Sequence, residues 1–269
     1  MKNEQLTKKS YWDSRYAGSL SVPSESLSKF RRFLRSLMPN APWSDTQADR
    51  HRLFISDRYL PRNSHFKLLE VGCASGRFLL SYNLRYGYEP WGIDYSSEGV
   101  AKARELFTSV GLDSSRIMQE DFFSEAIINN YTEFFDIVIS HGFIEHFGDP
   151  LPVISHHVML LRSGGLLLIT IPNLLWFNYL RVKVSFPAKL AMHNLKIMNR
   201  ATFRSLFDQF KLQHLFVGYV GTISLRHLFP SWFPDIDSIS DKLLWLFLRH
   251  HAIPNRFFSP DLMYIGRKL

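Results

Sequence analysis

The stretch EVGCASG, from Glu70 to Gly76, places a carboxylate two residues before a glycine turn. A strand, a glycine turn and a helix in succession present backbone N–H groups to a ligand at the helix N-terminus. A dinucleotide fingerprint needs G-x-G-x-x-G/A, whose second glycine admits a pyrophosphate against bare backbone. Here the spacing is G-x-x-x-G, with Ala74 between Gly72 and Gly76. No G-K-[ST] follows, which excludes a P-loop. A negative Glu70 would repel a phosphate and attract an ammonium. The loop is therefore expected to receive a nucleoside carrying positive charge rather than a pyrophosphate.

These residues need a scaffold, and the pattern around them supplies one. Short apolar, β-rich runs at 67–71, 90–94, 116–119, 135–140 and 165–171 alternate with helical stretches at 77–86, 97–110, 123–129 and 152–161. Such alternation predicts a parallel sheet covered on both faces, and right-handed crossovers make it doubly wound. Strand-like runs at 212–220 and 261–269 extend it. The fold class is thus α/β: a doubly wound, Rossmann-like, mostly parallel seven-stranded sheet with an N-terminal helical cap and lid insertions. Ligands of such sheets bind at the carboxyl ends of the strands. Residues 1–65 form the cap, with helical spacing at 26–37 and 47–59 and a proline-bearing loop at 38–44. Residues 66–269 form the core, with a helix expected at 202–210 and lid segments at about 174–200 and 222–260.

With these positions fixed, the sequence resembles the class I S-adenosylmethionine-dependent methyltransferases, in particular the small-molecule type of quinone biosynthesis and secondary metabolism. That family carries [DE]-x-G-x-G-x-G at its first strand, and EVGCASG departs from it only at Ala74. Its second strand ends in an acidic residue, here Asp94 in GIDYS, and its third in an Asp with an apolar neighbour, here QEDFF. FDIVISHGFIEHFGDP is similar to its FDxVxxxxxxEHxxDP, and LLRSGGLLLITIPN to its LKPGGxLxxxxPN with Ser163 in place of proline. SYWDSRY resembles its YWDxRY opening. The likeness covers residues 10–16 and 67–173 and is loose beyond, where acceptor specificity resides.

The resemblance implies S-adenosyl-L-methionine as cofactor and S-adenosyl-L-homocysteine as product. It implies that Glu70, Gly72, Cys73, Ala74 and Gly76 hold it from the loop, and that Asp94, beside Tyr95, grips the ribose. Glu120, Asp121 and Phe122 fall near the adenine, while Ser140 and His141 follow the fourth strand. Tyr11 and Arg15 reach in from the opening motif. Each admits a plainer reading: glycines make tight turns, Asp94 and Asp121 can cap helices, and Cys73 can serve packing alone.

Methyl transfer from a sulfonium is an in-line displacement, so the enzyme mainly aligns nucleophile and methyl. A hydroxyl acceptor also needs a base, and His146 fits because imidazole titrates near neutrality. Glu145 and His141 are the companion candidates. Equally, Glu145 and His146 could brace the following helix. His193 and His227, in the lid segments, are further candidates, and no metal site is expected. The place where amino-methylating nucleic-acid enzymes carry [DNS]-P-P-[YFW] reads SHGF, and no Pro-Cys nucleophile is present.

The reading is O-methylation of a small molecule. One alternative is a lipid methyltransferase of the cyclopropane-synthase type, because FIEHFG resembles that group's FEHFG. The bicarbonate-binding cysteine of that group has no counterpart near the N-terminus. Another alternative is a non-methylating cofactor-binding protein, a cyclase or partner subunit.

Composition sets the remaining bounds. The net charge of +8 could suit nucleic acid, anionic lipid or an acidic substrate, but it is dispersed over 269 residues and alone assigns no partner; no nucleic-acid partner is expected. One cysteine forbids a disulfide framework. The polar start and the absence of a long apolar run predict a cytoplasmic protein without a secretory signal or membrane span. Trp176, Phe177, Tyr179, Phe186, Trp232, Phe233, Trp245 and Phe247 suggest an apolar pocket for an aromatic substrate, or a lipid-facing rim. The run KLLWLFLRHH at 242–251 reads as a buried lid helix or as an amphipathic element for peripheral membrane contact.

Overall fold

In the computed structural model, residues 4–17, 47–221 and 254–269 are described. The helix expected at 26–37, the loop at 38–44, His227 and the run at 242–251 lie outside the described residues. The apolar runs form β1 (Lys67–Val71), β2 (Glu89–Asp94), β3 (Ile117–Gln119), β4 (Phe135–His141) and β5 (Leu161–Pro172). They pair in parallel, and β6 (Leu212–Val220) and β7 (Asp261–Lys268) complete a seven-stranded sheet of order β3-β2-β1-β4-β5-β7-β6. β7 alone is reversed, running antiparallel to both β5 and β6. This is the expected doubly wound, mostly parallel sheet.

Alternate residues along a strand point to opposite faces, and the core divides accordingly. Leu69, Val71, Val138 and Ile169 belong to one buried cluster, with α5 (Glu125–Tyr131), α6 (Leu151–Leu160), α7 (Trp176–Ser185) and α9 (Arg200–Ser205) over it. Leu68, Ile137, Ile139 and Leu168 belong to the other. That second face is covered by α2 (Gln47–Ser56), α3 (Arg77–Tyr86) and α4 (Ser97–Ser109). Both faces of the sheet are therefore sealed, as near-continuous apolar strands require.

Boundaries differ from the sequence expectation where local hydrogen bonds decide them. Ser124 accepts from the amide of Ile127 and so becomes the N-cap of α5, which starts two residues later than periodicity indicates. Asn199 caps α9 in the same way, and that helix ends at Ser205 rather than near 210. β5 begins at Leu161, which pairs with Phe135 across an irregularity. The segment expected as a lid at 174–200 folds as α7, the short α8 (Ala188–Ala191) and a 3-10 turn at Leu195–Ile197.

The parallel register sets the site. Val71 is paired with Ile93 on β2 and with Ser140 on β4. The turn after β1, Asp94 and His141 are thereby brought to the same edge of the sheet, where the chain crosses from one side to the other.

Candidate active site

The carboxyl ends of β1, β2 and β4 converge on a cavity of about 470 Å³. The N-terminal helix α1 (Lys9–Ala17) adds Tyr11, Trp12, Arg15 and Tyr16 to its wall. This helix is tied down by Ser96 Oγ, which donates to Asp13 Oδ1 at 2.7 Å, and by Lys102 Nζ, which donates to the carbonyl of Tyr16.

The turn after β1 is held from two directions. The amides of Gly72 and Cys73 both donate to the carbonyl of Ile93, at 2.9 and 3.2 Å. The amide of Ala74 donates to Asp94 Oδ2 at 2.9 Å, and the amide of Ser96 to Asp94 Oδ1 at 2.8 Å. Gly72 has φ +72°, and a Cβ there would lie 2.8 Å from the Phe143 ring, so backbone conformation and space both demand glycine. Gly76 serves a different end: its missing Cβ lets α3 approach Ala103 and Phe107 of α4, and it does not line the cavity.

Two acids face the cavity behind this turn. Glu70 is 2% exposed, and its Oε2 has no hydrogen-bond partner. Burial pushes its carboxyl well up, against an opposing backbone hydrogen bond from Leu79. Burial also raises Asp94, although amides of Ser96 and Ala74 hold it back. A buried carboxyl oxygen of Glu70 without a donor, beside Asp94, forms a place for a ligand that brings hydrogen-bond donors or positive charge.

The same cavity is also lined by basic and aromatic side chains. Glu145 and His146 lie in a 3-10 turn after β4, and both are buried. His146 Nδ1 lies 3.0 Å from the carbonyl of Met192 and 2.8 Å from Thr7 Oγ1, whose hydroxyl itself donates to that carbonyl. Nδ1 therefore carries the proton, and Nε2 keeps a bare lone pair. Burial drives the His146 imidazole down to about 3, and burial lifts the Glu145 carboxyl to about 8. His146 is accordingly neutral at physiological pH. The His141 ring is tilted at 50° to that of Phe78, with centroids 4.5 Å apart, and neither of its ring nitrogens has a partner.

The sequence-derived candidates divide. Tyr11, Arg15, Glu70, Gly72, Cys73, Ala74, Asp94, Tyr95, His141, Glu145 and His146 line one cavity. Gly76, Glu120, Asp121, Phe122 and Ser140 do not. Asp121 Oδ1 accepts from the amide of Phe123 at 3.0 Å, and Glu120 Oε1 from the amide of Asp121 at 3.1 Å, so both carboxylates serve a local turn. Phe122 packs into the core against Phe143, with ring centroids 5.6 Å apart.

Sequence reasoning missed Arg52, Lys189 and Asp261, which line the same cavity. Arg52 is buried and bridges Asp49 and Asp261 at 2.8 and 2.9 Å. A basic residue three positions after Asp49 in an otherwise amphipathic helix was the available signal; the distant Asp261 left none.

The methyltransferase-domain family matches residues 30–219. A ubiquinone biosynthesis O-methyltransferase of Colwellia psychrerythraea is 34% identical over 40% of this chain and 42% of its own. The mitochondrial enzyme of the same name from Rattus norvegicus is 28% identical over 64% of this chain and 53% of its own. The chain thus spans about half the length of the curated relatives it matches. A phosphoethanolamine N-methyltransferase of Haemonchus contortus, solved with S-adenosylhomocysteine, shares the fold at a TM-score of 0.53 and 16% identity, covering 81% of this chain and 52% of that one.

Proposed function

The chain belongs to the methyltransferase-domain family; from that premise we propose that it passes a methyl group from S-adenosylmethionine to an oxygen of a small apolar or aromatic molecule. The observation that carries this reading is the polarity of one cavity. It is lined both by Glu70, whose buried Oε2 has no partner, and by a neutral His146 whose Nδ1 is engaged by the carbonyl of Met192. The names of the curated relatives, ubiquinone biosynthesis O-methyltransferases, support the same acceptor class.

The residues present fit the cofactor. Glu70 would take its ammonium, satisfying an oxygen otherwise left without a donor. Asp94 would accept from the ribose hydroxyls with the lone pairs that the two amides leave free. Tyr11 and Arg15, on α1, would close over the bound molecule. When bound, S-adenosylmethionine supplies an electrophilic methyl on a sulfonium. The chain's part is to orient the acceptor in line with it, to exclude water with the aromatic wall of Trp12, Phe78, Phe143 and Phe147, and to hold the acceptor hydroxyl by a hydrogen bond to His146 Nε2. The imidazole, driven down by burial, orients the oxygen rather than serving as the near-neutral base expected from the sequence.

The test uses methyl-labelled cofactor with phenolic, catecholic, amine and unsaturated acyl acceptors, and identifies the product by mass spectrometry. A methyl ether supports the reading. An N-methyl or ring-methylene product, or cofactor binding without transfer to any acceptor, replaces it with one of the alternatives.

An apolar acceptor is consistent with contact with a bilayer. Trp176, Leu180 and Val184 recur every four residues along α7 and are 52%, 62% and 85% exposed. Lys183 and Arg256 flank them, with Arg256 over the Trp176 ring at 5.3 Å. An aromatic and aliphatic stripe edged by cations suits an anionic membrane surface. Co-sedimentation with anionic vesicles, abolished by Leu180→Asp with Val184→Asp, would support that contact; equal sedimentation of the variant would remove it.

A further inference from the structure

We propose that Thr7 is a positioning residue for the acceptor: acting through His146, it settles which ring nitrogen is offered to the acceptor hydroxyl. Thr7 is 1% exposed and does not line the cavity, so its influence passes through a neighbour. It also precedes residues 30–219, which match the methyltransferase domain.

A threonine just ahead of a helix ordinarily turns its hydroxyl onto the first helical amides. Thr7 stands two residues before α1 and turns its hydroxyl elsewhere. Its Oγ1 donates to the carbonyl of Met192 at 3.0 Å and lies 2.8 Å from His146 Nδ1, partners 185 and 139 residues away. His146 Nδ1 is itself 3.0 Å from the same carbonyl, so three polar atoms close a triangle.

Proton accounting in this triangle selects the tautomer. The carbonyl only accepts, and it takes the hydroxyl proton. Nδ1–H then has Oγ1 as a second acceptor beside the carbonyl. With the proton on Nε2 instead, Nδ1 and the carbonyl would be two acceptors 3.0 Å apart with one hydroxyl proton between them. One of them would be left without a donor, which is costly where water is excluded. Thr7 therefore favours the form with a bare Nε2, the form that can accept from a hydroxyl. Trp12 meets the imidazole edge-on at 5.0 Å, and the His193 ring lies 4.5 Å away. Those contacts hold the plane of the ring, and only the triangle distinguishes its two nitrogens.

Backbone pairing delivers Thr7 to this place. The amide of Leu6 donates to the carbonyl of His146 at 2.7 Å, and the amide of Gly148 to the carbonyl of Glu4 at 2.9 Å. Between them Gln5 pairs antiparallel with Phe147. Residues 4–7 thus run along the turn that bears His146. Gln5 also lines the cavity, and its Nε2 donates to the hydroxyl of Tyr95 at 3.1 Å. The acceptor-facing nitrogen is therefore set by a segment that must dock before the site is complete. The kinetic part of this inference rests on the oxygen-acceptor reading above; the tautomer is a property of the chain alone.

The test reads the proton directly. Full-length protein is prepared with 15N-labelled histidine, and the His146 ring resonances are assigned by their loss in His146→Gln. The wild type should show a protonated Nδ1 and a bare Nε2. Thr7→Val, which keeps the shape and removes the hydroxyl, should move the tautomer ratio towards Nε2–H by about 3- to 10-fold. It should lower kcat for an oxygen acceptor in proportion to the lost fraction of bare Nε2. S-adenosylmethionine affinity, measured by calorimetry, should be unchanged, and Thr7→Ser should restore both the ring resonances and kcat. Thr7→Ala repeats the measurement if the valine variant does not fold. A wild type protonated at Nε2, unchanged resonances without the hydroxyl, or a serine variant that behaves like valine overturns the role of Thr7 and leaves the methyltransferase reading standing. The expected resonances in a protein that methylates no oxygen acceptor support the positioning of His146 and overturn the acceptor reading.

Discussion

Asp94 accepts the amide of Ala74 at 2.9 Å, so the acid that ends β2 also holds the turn that ends β1. Its other oxygen accepts the amide of Ser96 at 2.8 Å, tying in the start of α4. One side chain therefore organises the loop and faces the cavity. Asp94→Ala should weaken S-adenosylmethionine binding by about 100-fold or more in calorimetry and cost about 1–3 kcal/mol of stability, since it removes charge-assisted hydrogen bonds. Asp94→Asn, which keeps an acceptor oxygen, should lose less of both. Unchanged cofactor affinity in the alanine variant would remove Asp94 from the binding site.

Ala74 occupies left-handed backbone, with φ +39°, between two glycines. An L-residue in that region is strained by about 1–2 kcal/mol, which the gain in unfolded-state freedom of glycine partly offsets. Ala74→Gly is therefore expected to be neutral or stabilising by up to about 1 kcal/mol. Ala74→Val, branched at Cβ, should lose more than about 1 kcal/mol. Thermal unfolding of the pair decides it: a glycine variant less stable than the valine variant contradicts the strain.

The parts of this fold legible in the sequence are those written locally. The apolar runs that became β1, β2 and β4, and the conformation demanded of Gly72, depend on neighbours a few residues away. What was hidden depends on distant partners. Nothing near His146 announces that Met192, forty-six residues on, fixes its tautomer. The ion pair between Arg52 and Asp261 spans 209 residues. Asp121 shows both influences at once: its motif position suggests a ligand contact, and its Oδ1 also accepts the amide two residues ahead. A motif places a residue near a strand end, and local hydrogen bonds then compete for its side chain.

Gly92 on β2 lies directly beneath the cofactor turn. A Cβ there would stand 2.6 Å from Cys73 Sγ and 2.9 Å from Leu79 Cδ1. Gly92→Ala should therefore destabilise by about 1–3 kcal/mol through overpacking. It should also lower cofactor affinity, because the turn hangs from the neighbouring carbonyl of Ile93. Cys73→Ala removes the nearer obstacle, so the double variant should recover part of the loss. A strictly additive double-mutant cycle would show that the two positions do not press on each other.

His157 should make stability depend on pH. It is fully buried in α6, its Nδ1 donates to the carbonyl of Val153 at 2.8 Å, and its Nε2 has no partner. The rings of Phe122 and Phe143 lie 4.8 and 6.0 Å away. Burial drives the imidazole from 6.5 down to about 4. The unfolded chain thus binds a proton that the folded chain refuses, and stability rises with pH in that interval. The contribution is complete above about pH 6.5, falls as the pH drops towards 4, and is constant below, where both states are protonated. The difference amounts to about 3 kcal/mol at most, at about 1.4 kcal/mol per pKa unit. His141, His146 and His193 are depressed in the same direction, so the acid-side slope is shared. His157→Leu should therefore reduce the slope of unfolding free energy against pH by up to about one proton between pH 6.5 and 4, without abolishing it. Denaturant titrations at several pH values measure this, and a slope identical to wild type would mean that His157 is protonated equally in both states.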